Sequence, residues 1–248
     1  MATILEIVNL YKNFGMVVAA HDINLSINEE EVVGIVGANG SGKTTLLNLV
    51  TGYLLPTSGE IRFQGNNITG LSPREVIALG IARSFQIPQL YTRLTVLENM
   101  LIAVAIRSGK SWDFWTHLNQ DTWIEEALGV LKQFGFEDDS RQVVANLPEG
   151  GRKLLDVALS FILRPNLLLM DEPTSGVSGK EKFVVMGALL STLKDAGVTT
   201  VFVEHDIEII ERYAERALAF DNGRVIADGP VDVVLADVNV RQTILGDE

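Results

Sequence analysis

Apolar and polar positions alternate between strand-like and helix-like patterns along the chain. Short β-branched runs predict strands, and apolar residues recurring every three to four positions predict helices. The predicted strands cover residues 4–8, 23–27, 31–36, 60–63, 81–85, 166–170, 199–204, 217–220 and 224–227. The predicted helices cover residues 43–53, 73–80, 94–106, 121–134, 151–163, 179–195 and 206–214. Asp-Asn-Gly at 221–223 predicts a tight hairpin. Strands alternating with helices are typical of an α/β fold with a parallel sheet.

The character of the sequence changes between residues 88 and 164, where helical periodicity dominates. We therefore expect a single domain, with an α/β core from residues 1–87 and 165–248 and an inserted helical subdomain from 88–164. Aromatic side chains interrupt the helical segment, and we interpret them as packing residues. They are Trp112, Phe114 and Trp115.

Composition and charge narrow the class of protein. Hydrophobic residues make up 47% of the 248 positions and charged residues 21%, which excludes a disordered chain. Thirty-two acidic residues against 20 basic ones give a net charge of −12, so attraction to nucleic acid is not the expected driving force for binding. The absence of cysteine excludes disulfides and zinc–thiolate sites. No apolar run reaches the ~18 residues of a bilayer span, and Glu6 interrupts the first apolar run, so we expect a cytosolic protein.

The strongest chemical signal is Gly-Ala-Asn-Gly-Ser-Gly-Lys-Thr at residues 37–44, between a predicted strand and a predicted helix. This run matches G-x-x-x-x-G-K-[ST], whose glycines let backbone amides surround phosphate oxygens. Lys43 is predicted to reach the β- and γ-phosphates, and the Thr44 hydroxyl is predicted to bind Mg²⁺. The nucleotide-binding residues of this loop are Gly37, Asn39, Gly40, Ser41, Gly42, Lys43 and Thr44.

Polar residues also follow two other predicted strands. Asp171 and Glu172 come directly after an apolar run, where Asp171 would support Mg²⁺ and Glu172 would polarise an attacking water. His205 follows the apolar run at 200–203 and is a candidate contact for the γ-phosphate. Beside a phosphate-binding loop, these positions indicate a nucleotide-hydrolysing site.

Together these motifs resemble the ATP-binding subunit of ABC transporters, and they occur in that family's order over nearly the whole chain. The resemblance implies ATP and Mg²⁺ as cofactors, and a P-loop core with an antiparallel β subdomain and an inserted helical subdomain. Phe14 matches the aromatic residue that stacks on adenine, and the stretch from Gly37 to Thr45 matches the Walker A loop. Gln86 matches the glutamine that joins the Mg²⁺ and water network and senses the transmembrane partner.

The same resemblance gives roles to the residues after the later strands. Asp171 and Glu172 match the Walker B aspartate and the catalytic glutamate, and His205 matches the switch histidine.

Three stretches, at residues 83–88, 94–99 and 244–248, are similar to the ATPases of branched-chain amino acid type importers. This similarity implies an ATPase that powers import of branched-chain or other amino acids, or of similar small polar solutes. It implies a second ATPase subunit closing head to tail, transmembrane permease subunits and, indirectly, a solute-binding protein. It also implies a peripheral location on the cytoplasmic face of the membrane.

The family's signature loop, Leu-Ser-Gly-Gly-Gln, is the main departure. Its place is taken by Leu-Pro-Glu-Gly-Gly-Arg at residues 147–152, so the serine is lost and Glu149 is introduced. A carboxylate near a γ-phosphate repels it unless the carboxylate is paired, for example with Arg152 or Lys153. Either the subfamily tolerates a divergent loop, or the chain works in an asymmetric heterodimer whose second ATPase carries an intact signature.

Three other functions fit these residues less well than transport. A soluble ABC ATPase acting on nucleic acid or ribosomes is disfavoured by the acidic charge. An ATP-dependent clamp without turnover is disfavoured because it needs neither Glu172 nor His205. A P-loop kinase leaves Gln86 and His205 unexplained.

Overall fold

The computed structural model describes residues 2–108, 120–177 and 179–245. The aromatic cluster at 112–115 and the last three residues of the stretch at 244–248 lie outside the described residues.

The elements alternate as the sequence predicts. The strands are β1 (Thr3–Phe14), β2 (Val17–Asn28), β3 (Val32–Gly37), β4 (Ser58–Phe63), β5 (Asn66–Asn67), β6 (Ile81–Ser84), β7 (Leu167–Asp171), β8 (Thr199–Val203), β9 (Arg216–Asp221) and β10 (Arg224–Pro230). The helices are α1 (Lys43–Val50), α2 (Pro73–Ala78), α3 (Val96–Arg107), α4 (Asp121–Gln133), α5 (Glu149–Phe161), α6 (Glu181–Asp195), α7 (Ile207–Tyr213), α8 (Val231–Ala236) and α9 (Val238–Val240). A 3₁₀ turn covers Val144–Asn146 and a π turn covers Arg241–Leu245.

Two sheets organise the protein. A six-stranded sheet has the order β10-β9-β3-β8-β7-β6 and is parallel except for the β9–β10 hairpin at its edge. A four-stranded antiparallel sheet has the order β2-β1-β4-β5. Helices α3, α4 and α5 lie in the chain between β6 and β7. The predicted α/β class, with an antiparallel β unit and a helical insertion, is confirmed.

Burial explains why the central strands are continuous apolar runs. Every residue of β3, β7 and β8 is buried, because both faces of the parallel sheet are covered. One face packs against α1 and the antiparallel sheet, for example through Leu46, Leu10 and Val201. The other face packs against α3 to α7, for example through Met100 and Phe202. The parallel sheet thus lies between two apolar layers.

The predicted and observed strand boundaries differ most in the first hairpin, which is formed by β1 and β2. Strands β1 and β2 run to Phe14 and from Val17, well beyond the predicted 4–8 and 23–27. Their register shifts repeatedly, and Asn9 and Asp22 adopt positive φ angles of 47° and 52°. Such bulges break the two-residue alternation on which the prediction depends.

Smaller corrections follow from local chemistry. Helix α1 ends at Val50 instead of residue 53, because Gly52 has a φ of 75°. Helix α5 begins at Glu149 instead of residue 151, with Pro148 at its N-cap. Helices α8 and α9 were not predicted. Across residues 2–108, 120–177 and 179–245, no helix has the length and apolar character needed to span a membrane.

Candidate nucleotide-binding site

The loop after β3 wraps around the ammonium of Lys43. Lys43 Nζ donates to the carbonyls of Gly37 at 2.7 Å and Ala38 at 2.9 Å, and to Ser41 Oγ at 3.3 Å. The side chain is 8% exposed, and burial lowers the pKa of Lys43 while Glu172 and Asp171 oppose the shift. The ammonium is therefore held by three oxygen atoms of its own loop.

The loop packs closely against β2 and the β9–β10 hairpin. Gly42 is the N-cap of α1 with a φ of 107°, and a Cβ there would lie 2.6 Å from the carbonyl oxygen of Ala19 in β2. The loop is also tied to the β9–β10 hairpin, since Gly223 N donates to the Ser41 carbonyl at 2.8 Å. Asn39, Gly40 and Thr44 are exposed and Thr45 is partly buried. The loop is thus anchored to the β9–β10 hairpin, while residues at its tip and at the start of α1 are exposed.

Asp171 ends β7 in an almost fully buried ion pair. Arg83 Nη2 donates to Asp171 Oδ2 at 2.8 Å, with side-chain exposures of 5% and 2%. Arg83 Nη1 also donates to Asn48 Oδ1 at 2.6 Å, which ties β6 to α1. Thr44 and Asn48 are four residues apart and share a face of α1. Arg83 therefore brings the helix face that carries Thr44 to the strand end that carries Asp171.

Glu172 and Gln86 meet across 86 positions of sequence. Gln86 Nε2 donates to Glu172 Oε2 at 3.1 Å. Glu172 has a φ of 51°, the left-handed region that non-glycine residues rarely adopt, and its amide donates to the Val203 carbonyl at 3.0 Å. The strained turn directs the carboxylate to Gln86. The structure therefore brings together two residues that the sequence alone places far apart.

His205 follows β8 at the same edge of the sheet. Its side chain is 64% exposed and lines a cleft of ≈ 510 Å³ together with Gly37, Ala38, Asn39 and Glu204. The fully buried Glu204 accepts from Thr174 Oγ1 at 2.7 Å, and burial raises the pKa of Glu204. A larger cleft of ≈ 890 Å³ includes Asn166 and Val198, which precede β7 and β8, so it lies at the opposite end of the strands. The smaller cleft therefore lies beside the start of the loop at 37–44, and the larger one lies away from it.

Phe14 ends β1 and is 48% exposed, with the ammonium of Lys12 5.0 Å from its ring centroid. It pairs with Val17 at the turn into β2, the strand whose Ala19 contacts Gly42. An exposed aromatic ring on the strand pair next to the phosphate loop is available for stacking.

The loop at 147–152 forms the amino-terminal end of α5. Pro148 is the N-cap and supplies no side-chain hydrogen bond. The carboxylate of Glu149 lies over Gly176, where an added Cβ would be 2.3 Å from Glu149 Cδ. Lys153, which we expected to be a possible partner of Glu149, instead donates to the carbonyls of Gln86 and Glu172.

Sequence reasoning gave no role beside Gln86 and Glu172 to Arg83, Lys153, Asp156 or Glu204. Arg83 was noted only as part of a family-like stretch and Lys153 only as a candidate partner of Glu149, and Glu204 and Asp156 were not singled out. Lys153 and Asp156 lie three positions apart on α5, where a basic and an acidic residue on one face are typical of a solvated helix surface. Both are in fact buried. Helical spacing alone does not distinguish a buried pair of charged residues from a solvated one.

The fold and the loop geometry define a P-loop nucleotide-binding protein. Residues 20–175 match the ABC transporter family. The chain is 33% identical over 247 residues to the probable branched-chain amino acid transport ATP-binding protein LivG of Archaeoglobus fulgidus, covering 98% of this chain and 95% of that relative. The chain belongs to the ABC transporter family, and its fold is that of an ATP-binding cassette.

Solved structures agree with this family. The ADP conformation of an ATP-binding cassette of an ABC transporter superposes with a TM-score of 0.89 at 30% identity, covering all of both chains. A dimeric ATP-binding cassette in a post-hydrolysis state with ADP and Pi gives a TM-score of 0.79 at 27% identity, covering 92% of this chain and 98% of that one. The transport names of the relatives do not favour a soluble ATPase or a clamp.

Proposed function

We propose that this chain is the ATP-hydrolysing subunit of an ABC importer for branched-chain or other amino acids, or for similar small polar solutes. One observation carries the proposal: the phosphate loop around Lys43, the carboxylate of Asp171 and the Gln86–Glu172 pair meet at one edge of the parallel sheet. The names of the relatives supply the solute class.

ATP binding is the first step that these residues explain. The loop at 37–45 would surround the phosphates, with the ammonium of Lys43 exchanging its carbonyl partners for phosphate oxygens. Phe14 would stack on the adenine ring. His205 would contact the γ-phosphate from the far side of the cleft.

A divalent metal fits the oxygen donors at this edge. Thr44, Asp171 and Gln86 would hold Mg²⁺, because hydroxyl, carboxylate and amide oxygens are the ligands that this hard cation prefers. The metal would neutralise negative charge that develops on the transferred phosphoryl group. Arg83 engages Asp171 through Oδ2, which fixes the orientation of that carboxylate.

Hydrolysis is the task of Glu172 and Gln86. The carboxylate of Glu172 would accept a proton from the attacking water, and the amide of Gln86 would hold that carboxylate in place. Two ATPase subunits would close head to tail over two ATP molecules, because ATP binds the closed dimer better than the open form. Product release would reopen the dimer.

We further propose that residues 88–164 act as a helical subdomain, set against a core of residues 1–87 and 165–248. Through Gln86 and this subdomain, closure of the dimer would move transmembrane permease subunits, which receive solute from a binding protein. The chain would then lie peripherally on the cytoplasmic face of the membrane.

The test is ATP turnover by the purified chain and its Glu172→Gln variant, with dimerisation followed by light scattering. We expect Mg²⁺-dependent hydrolysis by the wild type, and an ATP-dependent dimer with turnover reduced by about a hundredfold or more in the variant. Equal turnover by the two proteins would contradict the role of Glu172.

The importer itself is tested by reconstitution with permease subunits in vesicles that contain ATP. Solute uptake that depends on ATP and on Glu172 would support transport. Turnover that stays the same with and without permease and binding protein would favour the uncoupled ATPase.

A further inference from the structure

One face of α5 holds the backbone of the segment at residues 83–89. Lys153 Nζ donates to the Gln86 carbonyl, Asp156 accepts from the amides of Phe85 at 2.8 Å and Gln89 at 3.3 Å, and Ser160 Oγ donates to the Arg83 carbonyl at 3.0 Å. These helix residues are three and four positions apart and therefore line a single face. We call this set of contacts the α5 clasp.

Among the side chains of the α5 clasp, Lys153 also reaches the strand-end residue Glu172. Its Nζ also donates to the backbone carbonyl of Glu172 at 3.3 Å. One ammonium thus joins the backbones of Gln86 and Glu172, whose side chains are hydrogen-bonded to each other at 3.1 Å. Lys153 is 4% exposed, so water is a poor substitute for these contacts.

The Glu172 carbonyl matters because of the backbone there. Glu172 holds a φ of 51°, a conformation that persists only when surrounding contacts over-determine it. Its carbonyl accepts from Ser175 N at 3.1 Å and from Lys153, while its amide is tied to β8. Of these three contacts, the one from Lys153 comes from α5, the helix that begins in the divergent loop at 147–152.

We propose that Lys153 is a positioning residue of the hydrolytic centre, which sets the Gln86–Glu172 pair from α5. The α5 clasp makes the loop at 147–152 and the hydrolytic residues of the same subunit one mechanical unit. Contact made by the end of α5 with a second ATPase subunit would therefore bear on hydrolysis in its own subunit. This inference rests on the proposed function of Glu172 and Gln86 in ATP hydrolysis.

The experiment compares Lys153→Met, which keeps an unbranched side chain of similar length and removes the ammonium, with Lys132→Met. Lys132 lies on α4 and forms an exposed ion pair with Glu137, so its substitution removes one cation from the surface and serves as the matched control. The measurements are kcat and KM for ATP, and equilibrium affinity for a fluorescent ADP analogue. We expect Lys153→Met to lower kcat by about tenfold or more, with nucleotide affinity within about threefold, because the phosphate loop is untouched. Lys132→Met should leave both unchanged.

A second arm uses the Glu172→Gln background. If Lys153 acts through Glu172, its removal there should lower the residual rate by less than about twofold, since coupled residues are not additive. Three results would overturn the proposal. They are a double variant whose loss of rate is the product of the two single losses, an unchanged kcat in Lys153→Met, or a loss of nucleotide affinity in Lys153→Met as large as its loss of kcat.

Hydrogen exchange separates this proposal from the proposed function. In Lys153→Met the amides of residues 85–89 and 172–175 should exchange faster, while those of 97–107 stay unchanged. That result in a chain without ATP turnover would uphold the positioning and reject the hydrolytic function. Normal exchange in both segments would reject the positioning, whatever the turnover.

Discussion

Arg83 and Asp171 form an ion pair at 2.8 Å in which both side chains are almost completely buried. Removal of one partner leaves the other charge in a region without solvent, which costs about 3–5 kcal/mol. We therefore expect Arg83→Met to lower the free energy of unfolding by roughly that amount, measured by urea denaturation.

The matched control for this change is Arg62→Met. Arg62 pairs with Glu6 and Glu60, and all three side chains are more than 40% exposed, so solvent replaces the lost contacts. Equal destabilisation by the two substitutions would show that the Arg83 pair is not the buried anchor that the geometry indicates.

A glycine-to-alanine pair tests the geometry of the phosphate loop. In Gly42→Ala the new Cβ would clash with the Ala19 carbonyl at 2.6 Å, so we expect affinity for ATP to fall by about tenfold or more. Gly129→Ala lies on α4, has no atom within 4 Å of the added Cβ, and should raise the free energy of unfolding by about 0.5–1 kcal/mol. Unchanged ATP affinity in Gly42→Ala, measured by titration calorimetry, would contradict the close approach of β2.

The burial of Asp156 should make the free energy of unfolding depend on pH. Burial raises the pKa of its carboxyl from 3.8 to about 6, although Phe85, Gln89 and Lys153 oppose the shift. The folded protein therefore binds this proton more readily than the unfolded chain. The resulting stabilisation is fully present below about pH 4 and is lost as the pH rises through about 6, a change of about 3 kcal/mol.

The measurement is the free energy of unfolding of the wild type and of Asp156→Asn at about pH 4.5 and about pH 7. The wild type should lose stability relative to the variant across this interval, because asparagine does not titrate. The exposed Asp138→Asn serves as the control and should follow the wild type. Parallel curves for Asp156→Asn and the wild type would argue against a protonated carboxyl at position 156.

The N-cap of α5 offers a test of the divergent loop. Pro148 gives no side-chain cap, whereas a serine hydroxyl there can accept from an amide of the first turn. We expect Pro148→Ser to be more stable than Pro148→Ala by about 1 kcal/mol in thermal unfolding. Comparison with alanine removes the effect of losing the proline ring.

The same two variants bear on the choice between a tolerated loop and an asymmetric heterodimer. If the missing serine weakens this chain as a partner for ATP, Pro148→Ser should form an ATP-dependent homodimer at lower concentration than Pro148→Ala. Identical dimerisation of the two would favour a loop that works without the hydroxyl.

The sequence predicted the parallel core well because its strands are buried on both faces and read as unbroken apolar runs, as in β7. It failed in the first hairpin, where the positive φ angles at Asn9 and Asp22 reset the alternation. Helix α8 was missed because its six residues span fewer than two turns and it has no side-chain N-cap, whereas α2, of equal length, begins with a Ser72–Glu75 capping box.

The candidate site also has a part that the sequence predicts and a part that it does not. The loop at 37–44 is local in sequence, so its motif alone leads to the prediction of a phosphate-binding loop. The contacts of Arg83, Lys153 and Glu204 join segments 19 to 88 positions apart, and no local pattern encodes them. Burial of a lysine and an aspartate on α5 is visible only once the segment at 83–89 lies against that helix.

At Glu172, the left-handed backbone lowers the stability of the fold, whereas the carboxylate it carries is the one proposed to act in hydrolysis. A glycine at this position would adopt the φ of 51° without the steric cost of a Cβ, which is roughly 1–2 kcal/mol. It would also remove the carboxylate that accepts the hydrogen bond from Gln86. Selection for thermal stability alone would therefore favour the loss of this carboxylate, and a screen that stabilises the protein without monitoring turnover should be expected to accumulate substitutions at residue 172.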